Sequence, residues 1–216
     1  MVLATNRETA DMAHRLGARR VESLPDTALL PETVPRSLPS HRRPVRPRIL
    51  WVGQNIPRKG LSLAIAAAND LQRTTDAELA VAGPSPIAGT EGVTWLGKVP
   101  FNEMPKLYGS ADVFLFTSLR EAMGSQVIEA AGQGLPIVAL DLHGVSTFVP
   151  NDASIKISLS DPAETVSALS RALRIVLTDQ ERWQAMSAAA WRFGQEQTLA
   201  ARATFINNIY DEVSDL

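Results

Sequence analysis

Short apolar segments alternate with segments of helical periodicity from Ile49 onward, and this alternation restricts the fold more than any other feature of the sequence. The apolar segments are predicted strands at residues 49–52, 77–82, 93–96, 113–116 and 137–140. The first of them, at 49–52, is continuously apolar and should therefore be buried on both faces. Strands that alternate with helices pair in parallel. The sequence therefore predicts an α/β fold, a doubly wound parallel (Rossmann-like) sheet, with a helical C-terminus.

The N-terminal part follows a different pattern. Residues 2–5 and 20–22 are predicted strands on either side of a helix over 7–16, with Asn6 as its N-cap. A Pro- and Arg-rich segment follows, and its composition is typical of a linker because proline prevents regular structure and charge favours solvation. We place the linker at residues 36–47, the α/β domain at 48–194 and a last helix within 195–216.

Composition argues against several classes of function. Acidic residues (23) slightly outnumber basic ones (21), which gives no reason to expect nucleic acid or an anionic membrane as a partner. The chain has no cysteine and its three histidines are far apart, so neither disulfides nor a metal site is expected. No apolar segment approaches the roughly 18 residues of a transmembrane helix. These features favour a cytoplasmic chain, with peripheral membrane association left open for the full-length protein.

The loop at residues 53–60 is the first candidate site. It contains Gly53, Gln54, Arg58 and Lys59, and it leads from a strand into a helix. In doubly wound sheets, ligands bind at the carboxyl ends of the strands. Free amides at a helix start and a lysine ammonium together suit a phosphate group. The loop matches neither G-x-x-x-x-G-K-[ST] nor G-x-G-x-x-G, and a solvated turn with two cations is the alternative.

Residues 121–129 are the second candidate site, in which two glutamates stand eight positions apart. A Gly-Ser pair between them places Glu121 in a loop and Glu129 early in the next helix. We expect four amides at that helix start to be unpaired and to attract an anion, those of Gly124, Ser125, Gln126 and Val127. The Glu129 carboxylate can accept two hydroxyl hydrogen bonds, which suits a ribose diol. The alternative is that Glu129 only complements the helix dipole.

A third and weaker candidate is the Gly-Lys-Val-Pro turn at residues 97–100, after the strand at 93–96. Proline restricts this loop, so the backbone around Val99 is a candidate for contacting the edge of a nucleobase.

In this order, the three segments resemble the C-terminal, donor-binding domain of GT-B-fold retaining glycosyltransferases of the large group 1, or family 4, type. Gly53 followed by Lys59 and Gly60 resembles the family's G-R-x-x-x-x-K-G loop. Residues 96–99 resemble its base-reading turn, and Glu121 with Glu129 resembles its E-x7-E motif. The resemblance covers residues 48–213.

The resemblance implies a role for each segment. Lys59 and its loop would bind the donor diphosphate, Glu129 the ribose hydroxyls and Val99 the base. Glu121 would be the catalytic residue, in contact with the donor sugar. Further contacts with sugar and phosphate would come from the amides of Ala122, Met123, Gly124, Ser125, Gln126 and Val127.

The resemblance also implies the chemistry. Such enzymes transfer a sugar from a UDP-, GDP- or ADP-type donor to an acceptor with retention of anomeric configuration. They generally need no metal or other cofactor, because cationic side chains and amides stabilise the leaving diphosphate.

The sequence departs from the family pattern in composition and in length. Gln54 replaces the usual arginine of the first loop, and His143-Gly144 replaces a Gly-Gly pair. Residues 1–35 resemble only the last strand-helix-strand of the N-terminal domain, which would bind the acceptor, whether sugar, lipid or small molecule. We therefore expect a shortened chain that is inactive alone and that self-associates through the exposed face of its last helix.

Other functions stay open at this point. A nucleotide-binding module without activity of its own would have the same motifs, and an interaction domain with a degenerate site would explain Gln54. A sugar-nucleotide epimerase on the same fold would need acid and base residues that the sequence does not place. An NAD-dependent dehydrogenase is disfavoured because the glycine fingerprint is missing.

Overall fold

The structure is built around a parallel β-sheet with helices on both faces. The computed structural model describes residues 1–27 and 46–214. Its strands are β1 (Val2–Ala4), β2 (Val21–Ser23), β3 (Arg48–Val52), β4 (Glu78–Ala82), β5 (Val93–Gly97), β6 (Val113–Phe116), β7 (Ile137–Leu140) and β8 (Ser154–Ile157). Its helices are α1 (Arg7–Arg15), α2 (Leu61–Gln72), α3 (Met104–Tyr108), α4 (Ser125–Gly132), α5 (His143–Phe148), α6 (Pro162–Thr178), α7 (Gln180–Glu196) and α8 (Leu199–Ser214). Single 3-10 turns lie at Pro57–Lys59 and Phe101–Glu103.

The large sheet has the strand order β5-β4-β3-β6-β7-β8, and each neighbouring pair is parallel. This confirms the predicted doubly wound fold. The chain adds β4 and β5 on one side of β3, and then β6, β7 and β8 on the other. The strand order therefore reverses between β3 and β6. In open α/β sheets, such a switch point opens a crevice at the carboxyl ends of the two strands, where ligands bind.

Helices cover both faces of this sheet, which explains why its central strands carry apolar residues on both faces. On one face, Ile49 and Trp51 of β3 pack with residues of α2 and α6. On the other face, Leu50 of β3 packs with residues of α4 and α7. The alternation follows from the two-residue period of a strand, which sends successive side chains to opposite faces.

Two elements, the strand β8 and the helix α5 that precedes it in the chain, were not predicted from the sequence. β8 is the edge strand beyond β7, and only Ser154 of its four residues is buried. It therefore lacks the continuous apolar pattern of the central strands. α5 spans only six residues, too few for a helical period to be recognised.

The N-terminal residues form a strand-helix-strand unit, as predicted, in which β1 and β2 pair in parallel. Asn6 caps α1 by accepting a hydrogen bond from the Thr9 amide at 2.8 Å. The C-terminal helix α8 reaches this unit, because Glu212 lies 2.6 Å from the guanidinium of Arg20. Most of the predicted linker, residues 36–45, lies outside the described residues, and the domain boundaries stay predictions.

Across residues 1–27 and 46–214, the structure contains no helix long and apolar enough to cross a membrane.

The contact between α4 and α7 requires a glycine, and this gives the first prediction. A Cβ atom on Gly194 would lie 2.4 Å from the amide nitrogen of Gly132 in α4. We expect Gly194→Ala to lower the free energy of unfolding by about 1–3 kcal/mol, since the two helices must separate to admit the methyl group. Urea-induced unfolding measures the change.

Gly109→Ala is the matched control. Gly109 has helical backbone angles, and its added Cβ would meet no atom closer than 3.4 Å. We expect an effect within about 0.5 kcal/mol or a slight stabilisation. Equal stability of the two variants would contradict the close helix contact.

Candidate functional site

The loops after β3 and β6 meet at the switch point and are held together by Thr117. This residue is fully buried, and its hydroxyl accepts a hydrogen bond from the Trp51 indole at 3.0 Å. The same hydroxyl lies 2.9 Å from the carbonyl oxygen of Gly60 and 3.1 Å from that of Lys59. The 3-10 turn before α2 is thereby fixed against the end of β6.

Gly60 allows this approach. Its φ of +63° is in the left-handed region, and a Cβ there would lie 2.2 Å from the Thr117 carbonyl oxygen. A further backbone hydrogen bond joins the two loops, from the Leu119 amide to the Arg58 carbonyl at 2.7 Å. The segment that carries the two cations is therefore locked to the segment that carries Glu121.

Three charged side chains of these loops form one ionic cluster. Lys59 donates a short hydrogen bond to the carboxylate of Glu121, and Arg58 donates to the same oxygen at 2.7 Å. Only 6% of Lys59 is exposed, and its ammonium lies 5.8 Å from the centre of the Phe116 ring, within cation–π range. Arg58 is half exposed.

The cluster sets the ionisation of Glu121. Burial alone would raise the pKa of this carboxyl, but the hydrogen bonds and charges of Lys59 and Arg58 outweigh burial and lower the pKa below its usual value. Glu121 is therefore a carboxylate at neutral pH, and it lies in a loop as predicted.

The cluster forms one wall of a pocket of about 440 Å³. The pocket is lined by Asp26, Thr27, Gly53, Gln54, Arg58, Lys59, Glu121, Gly124, Ser125 and Gln126. Eight of these ten residues were predicted as site residues, and the structure brings them together. The other two come from the segment after β2. Burial raises the pKa of Asp26, and the charge of Glu121 raises it further, against the opposing charge of Arg202.

The start of α4 lines the same pocket. Within the described residues, the amides of Gly124, Ser125 and Gln126 donate to no other group, in agreement with the prediction. The prediction for Val127 was wrong, because its amide donates to the Gly124 carbonyl at 3.0 Å. The side chains of Met123 and Val127 are fully buried in the core, which leaves only their backbone for a ligand. Ala122 precedes this turn, and its carbonyl accepts from the Gly144 amide at 2.7 Å.

Glu129 does not line this pocket. It lies four residues after Ser125 on α4, hence one helical turn further along the same face. Its carboxylate accepts a hydrogen bond from the hydroxyl of Tyr108 at 2.8 Å. Val99 follows β5 and lies outside the pocket as well, partly buried. Neither the predicted ribose residue nor the predicted base residue therefore lines the pocket.

Sequence reasoning missed several residues of this region. Tyr108 ends a segment whose pattern predicts only a helix, and Thr117 follows a segment whose pattern predicts only a strand.

His143 was noted only as a replacement for glycine, and it has a φ of +50°, in the region that favours glycine. Its ring nitrogens lie 3.2 Å from the Leu119 carbonyl and 3.3 Å from the Glu8 carboxylate. The positive φ explains why glycine suits this position, and the replacement of the family's glycine was the signal that the sequence offered.

In the described part of the chain, no three histidine or acidic residues lie close enough together to hold a metal ion.

Comparison with known proteins identifies relatives of this chain. The family model described as "Glycosyl transferases group 1" matches residues 46–175. The sulfoquinovosyl transferase SQD2 of Arabidopsis thaliana is 28% identical over 178 residues, which cover 78% of this chain and 34% of that enzyme. The GDP-mannose-dependent alpha-(1-6)-phosphatidylinositol monomannoside mannosyltransferase of Mycobacterium tuberculosis is 28% identical over 183 residues, which cover 73% of this chain and 46% of that enzyme. The chain thus spans less than half the length of these relatives.

Solved structures show the same fold. The pneumococcal O-GlcNAc transferase GtfA, solved with UDP and GlcNAc, aligns with a TM-score of 0.76 at 15% identity, over 98% of this chain and 44% of that protein. The sucrose-phosphate synthase of Thermosynechococcus elongatus aligns with a TM-score of 0.75 at 20% identity, over 99% of this chain and 58% of that protein. Both are GT-B glycosyltransferases, and at these identities the likeness concerns the fold alone.

The ionic cluster gives a prediction for stability against pH. The pKa of Glu121 is lowered from its usual value of 4.5, so its charge stabilises the fold above the pH at which an unfolded glutamate titrates. This stabilisation is lost as the pH falls through the folded pKa. We expect Glu121→Gln to lower the free energy of unfolding by about 1 kcal/mol near neutral pH, and to have little effect near pH ~3.

The measurement is urea unfolding of both proteins at the two pH values. Glu103→Gln is the control, because Glu103 is exposed and forms no ion pair within residues 1–27 and 46–214. A penalty for Glu121→Gln that is independent of pH would contradict the ionic interpretation.

Proposed function

The chain belongs to the group 1 glycosyl transferase family, and we propose that it supplies the donor-nucleotide site of a retaining glycosyltransferase. The donor is a nucleotide-diphosphate-sugar, and the product is a glycoside of the same anomeric configuration. The chain alone is expected to bind the nucleotide without transferring the sugar, because it spans less than half the length of its relatives.

The observation that carries this proposal is the pocket at the switch point, which is lined both by two cations and by a helix start. Lys59 and Arg58 line the pocket, and so do residues 124–126, whose amides are unpaired within the described residues. A diphosphate placed between them would be neutralised from both sides by charged donors and by the helix dipole. This arrangement suits an anion with several oxygen atoms better than a neutral ligand.

The same arrangement supports catalysis without a metal. As the bond from the sugar to the diphosphate breaks, negative charge develops on the leaving phosphate oxygen. Donors that are already in place stabilise this charge without reorganisation. Lys59 is held in place by burial and by the locked loop, so its ammonium is such a donor.

Glu121 is the proposed catalytic residue. It lies in the pocket beside Lys59 and is ionised at neutral pH, because its pKa is lowered. A carboxylate at this position can accept hydrogen bonds from hydroxyls of the donor sugar and can stabilise positive charge that develops on the sugar ring. Glu129, one helical turn beyond the pocket, would hold the ribose, and the backbone at Val99 would contact the base.

A binding role without catalysis is the second candidate, and Gln54 is the observation that favours it. Gln54 lines the pocket where the family has an arginine, so one cation is absent from this position. Arg58 partly offsets this loss, because its guanidinium lies in the same pocket and contacts Glu121. We therefore favour the catalytic role for the complete protein.

Nucleotide binding tests the proposal. We expect calorimetric titration with UDP, GDP and ADP to show binding of one of the three, and Lys59→Ala to weaken that binding by about 10- to 100-fold. The reason is the loss of one charge-assisted hydrogen bond to the diphosphate, which contributes about 1.5–3 kcal/mol.

Lys106→Ala is the matched control, since Lys106 is exposed on α3 and does not line the pocket. It should leave the affinity unchanged. A folded chain that binds none of the three nucleotides would overturn the proposal. Equal affinity of Lys59→Ala and the parent protein would remove Lys59 from the diphosphate site.

A further inference from the structure

Tyr108 is a buried polar residue that the proposed function does not use. It is the last residue of α3, only 1% of it is exposed, and its hydroxyl donates to the Glu129 carboxylate at 2.8 Å. A buried tyrosine hydroxyl generally finds a partner. Here the partner is the carboxylate that we propose to hold the ribose, on a different helix and 21 residues away in sequence.

The position of this hydroxyl is fixed by the sheet. The Tyr108 ring packs edge to face on Phe114 of β6, with ring centres 5.8 Å apart and an interplanar angle of 72°. Phe114 is itself fully buried. The tyrosine ring therefore has little freedom, and its hydroxyl is a fixed point beside α4.

The hydroxyl also keeps its proton. Burial raises the pKa of Tyr108 well above its usual value, and the charge and hydrogen bond of Glu129 raise it further. The direction of the hydrogen bond is consequently settled, with tyrosine as donor and carboxylate as acceptor. Within the described residues, the Glu129 side chain makes no other hydrogen bond.

A glutamate side chain on a helix surface has several rotamers, and binding a ligand through it requires one of them. The Tyr108 hydrogen bond occupies Oε2 of Glu129 and thereby selects one rotamer before any ligand arrives. The remaining oxygen, Oε1, is left to accept from a ligand. A ligand that needs this rotamer then binds without the cost of ordering the side chain.

We propose that Tyr108 is a positioning residue that orients Glu129 toward the ribose hydroxyls of the nucleotide and so makes the site selective for a 2′,3′-diol. The proposal rests on the proposed function, because it assigns the carboxylate to the ribose. It adds a residue from α3, the helix that follows the candidate base-reading turn. The base and ribose contacts are thereby linked through one short helix.

The test compares a nucleoside diphosphate with its 2′,3′-dideoxy form, using whichever base the parent protein binds. We expect the parent to bind the ribose form more tightly. In Tyr108→Phe, the affinity for the ribose form should fall by about 3- to 10-fold, the usual range for one hydrogen bond, while the affinity for the dideoxy form stays the same. A double-mutant cycle completes the test: in a Glu129→Ala background, Tyr108→Phe should have no effect on either ligand.

Tyr210→Phe is the matched control, because Tyr210 is the other tyrosine of the chain and is 57% exposed on α8. It should change neither affinity. Thermal unfolding of each variant shows whether the fold is intact.

The possible outcomes separate the two proposals. Equal losses for both ligands in Tyr108→Phe would mean a purely structural role and would overturn the inference, while the proposed function would stand. A parent protein that binds both forms equally would overturn the inference and the ribose role of Glu129, while the diphosphate site of the proposed function would stand. A parent protein that binds no nucleotide at all would overturn the proposed function and this inference with it.

Discussion

The hydroxyl of Thr117 is the contact on which the geometry of the site depends. It joins three separate segments, since it accepts from Trp51 of β3 and lies against the carbonyls of Lys59 and Gly60. Without it, the buried indole N–H of Trp51 and the carbonyl of Lys59 would need other partners, at a cost of about 1–3 kcal/mol for each unsatisfied group, whereas the Gly60 carbonyl also accepts from the Leu63 amide at 3.0 Å. One small side chain at the end of β6 thus fixes the turn that presents Lys59.

The sheet topology explains why this contact lies at the site and not elsewhere. β3 and β6 are neighbours, yet the loops that follow them enter helices on opposite faces of the sheet, α2 on one and α4 on the other. A gap therefore opens between the two loops, and the pocket occupies it. The first amides of α4 have no helical partners, as at any helix start, so donors from both loops line the gap.

The sequence predicts much of this fold because the central strands are buried on both faces, which gives them an unmistakable apolar pattern. Edge strand β8 and the short helix α5 have no such pattern, and neither was predicted. For the site, spacing alone places Glu121 in a loop and Glu129 on a helix. Spacing does not show that Lys59 and Glu121 touch, because that contact depends on two loops more than 60 residues apart in sequence. Tyr108 was missed as well, because its segment shows only the pattern of a helix. That pattern does not reveal that the Tyr108 hydroxyl contacts Glu129, 21 residues further along the chain.

The charges of the pocket indicate how the two cations would divide their roles when a diphosphate enters. Arg58 and Lys59 share the carboxylate of Glu121, and Asp26 lies in the same pocket, so the four side chains are balanced in charge when all are ionised. A diphosphate adds negative charge, and at least one cation must turn from Glu121 toward it. Lys59 is buried and packed over Phe116, so it has little room to move, whereas Arg58 is half exposed and can reorient at low cost. Lys59 is then the fixed anchor. On the proposed function, Arg58 would be the adaptable cation that takes over the role of the arginine that Gln54 replaces, and its departure would leave Lys59 as the one cation on the Glu121 carboxylate.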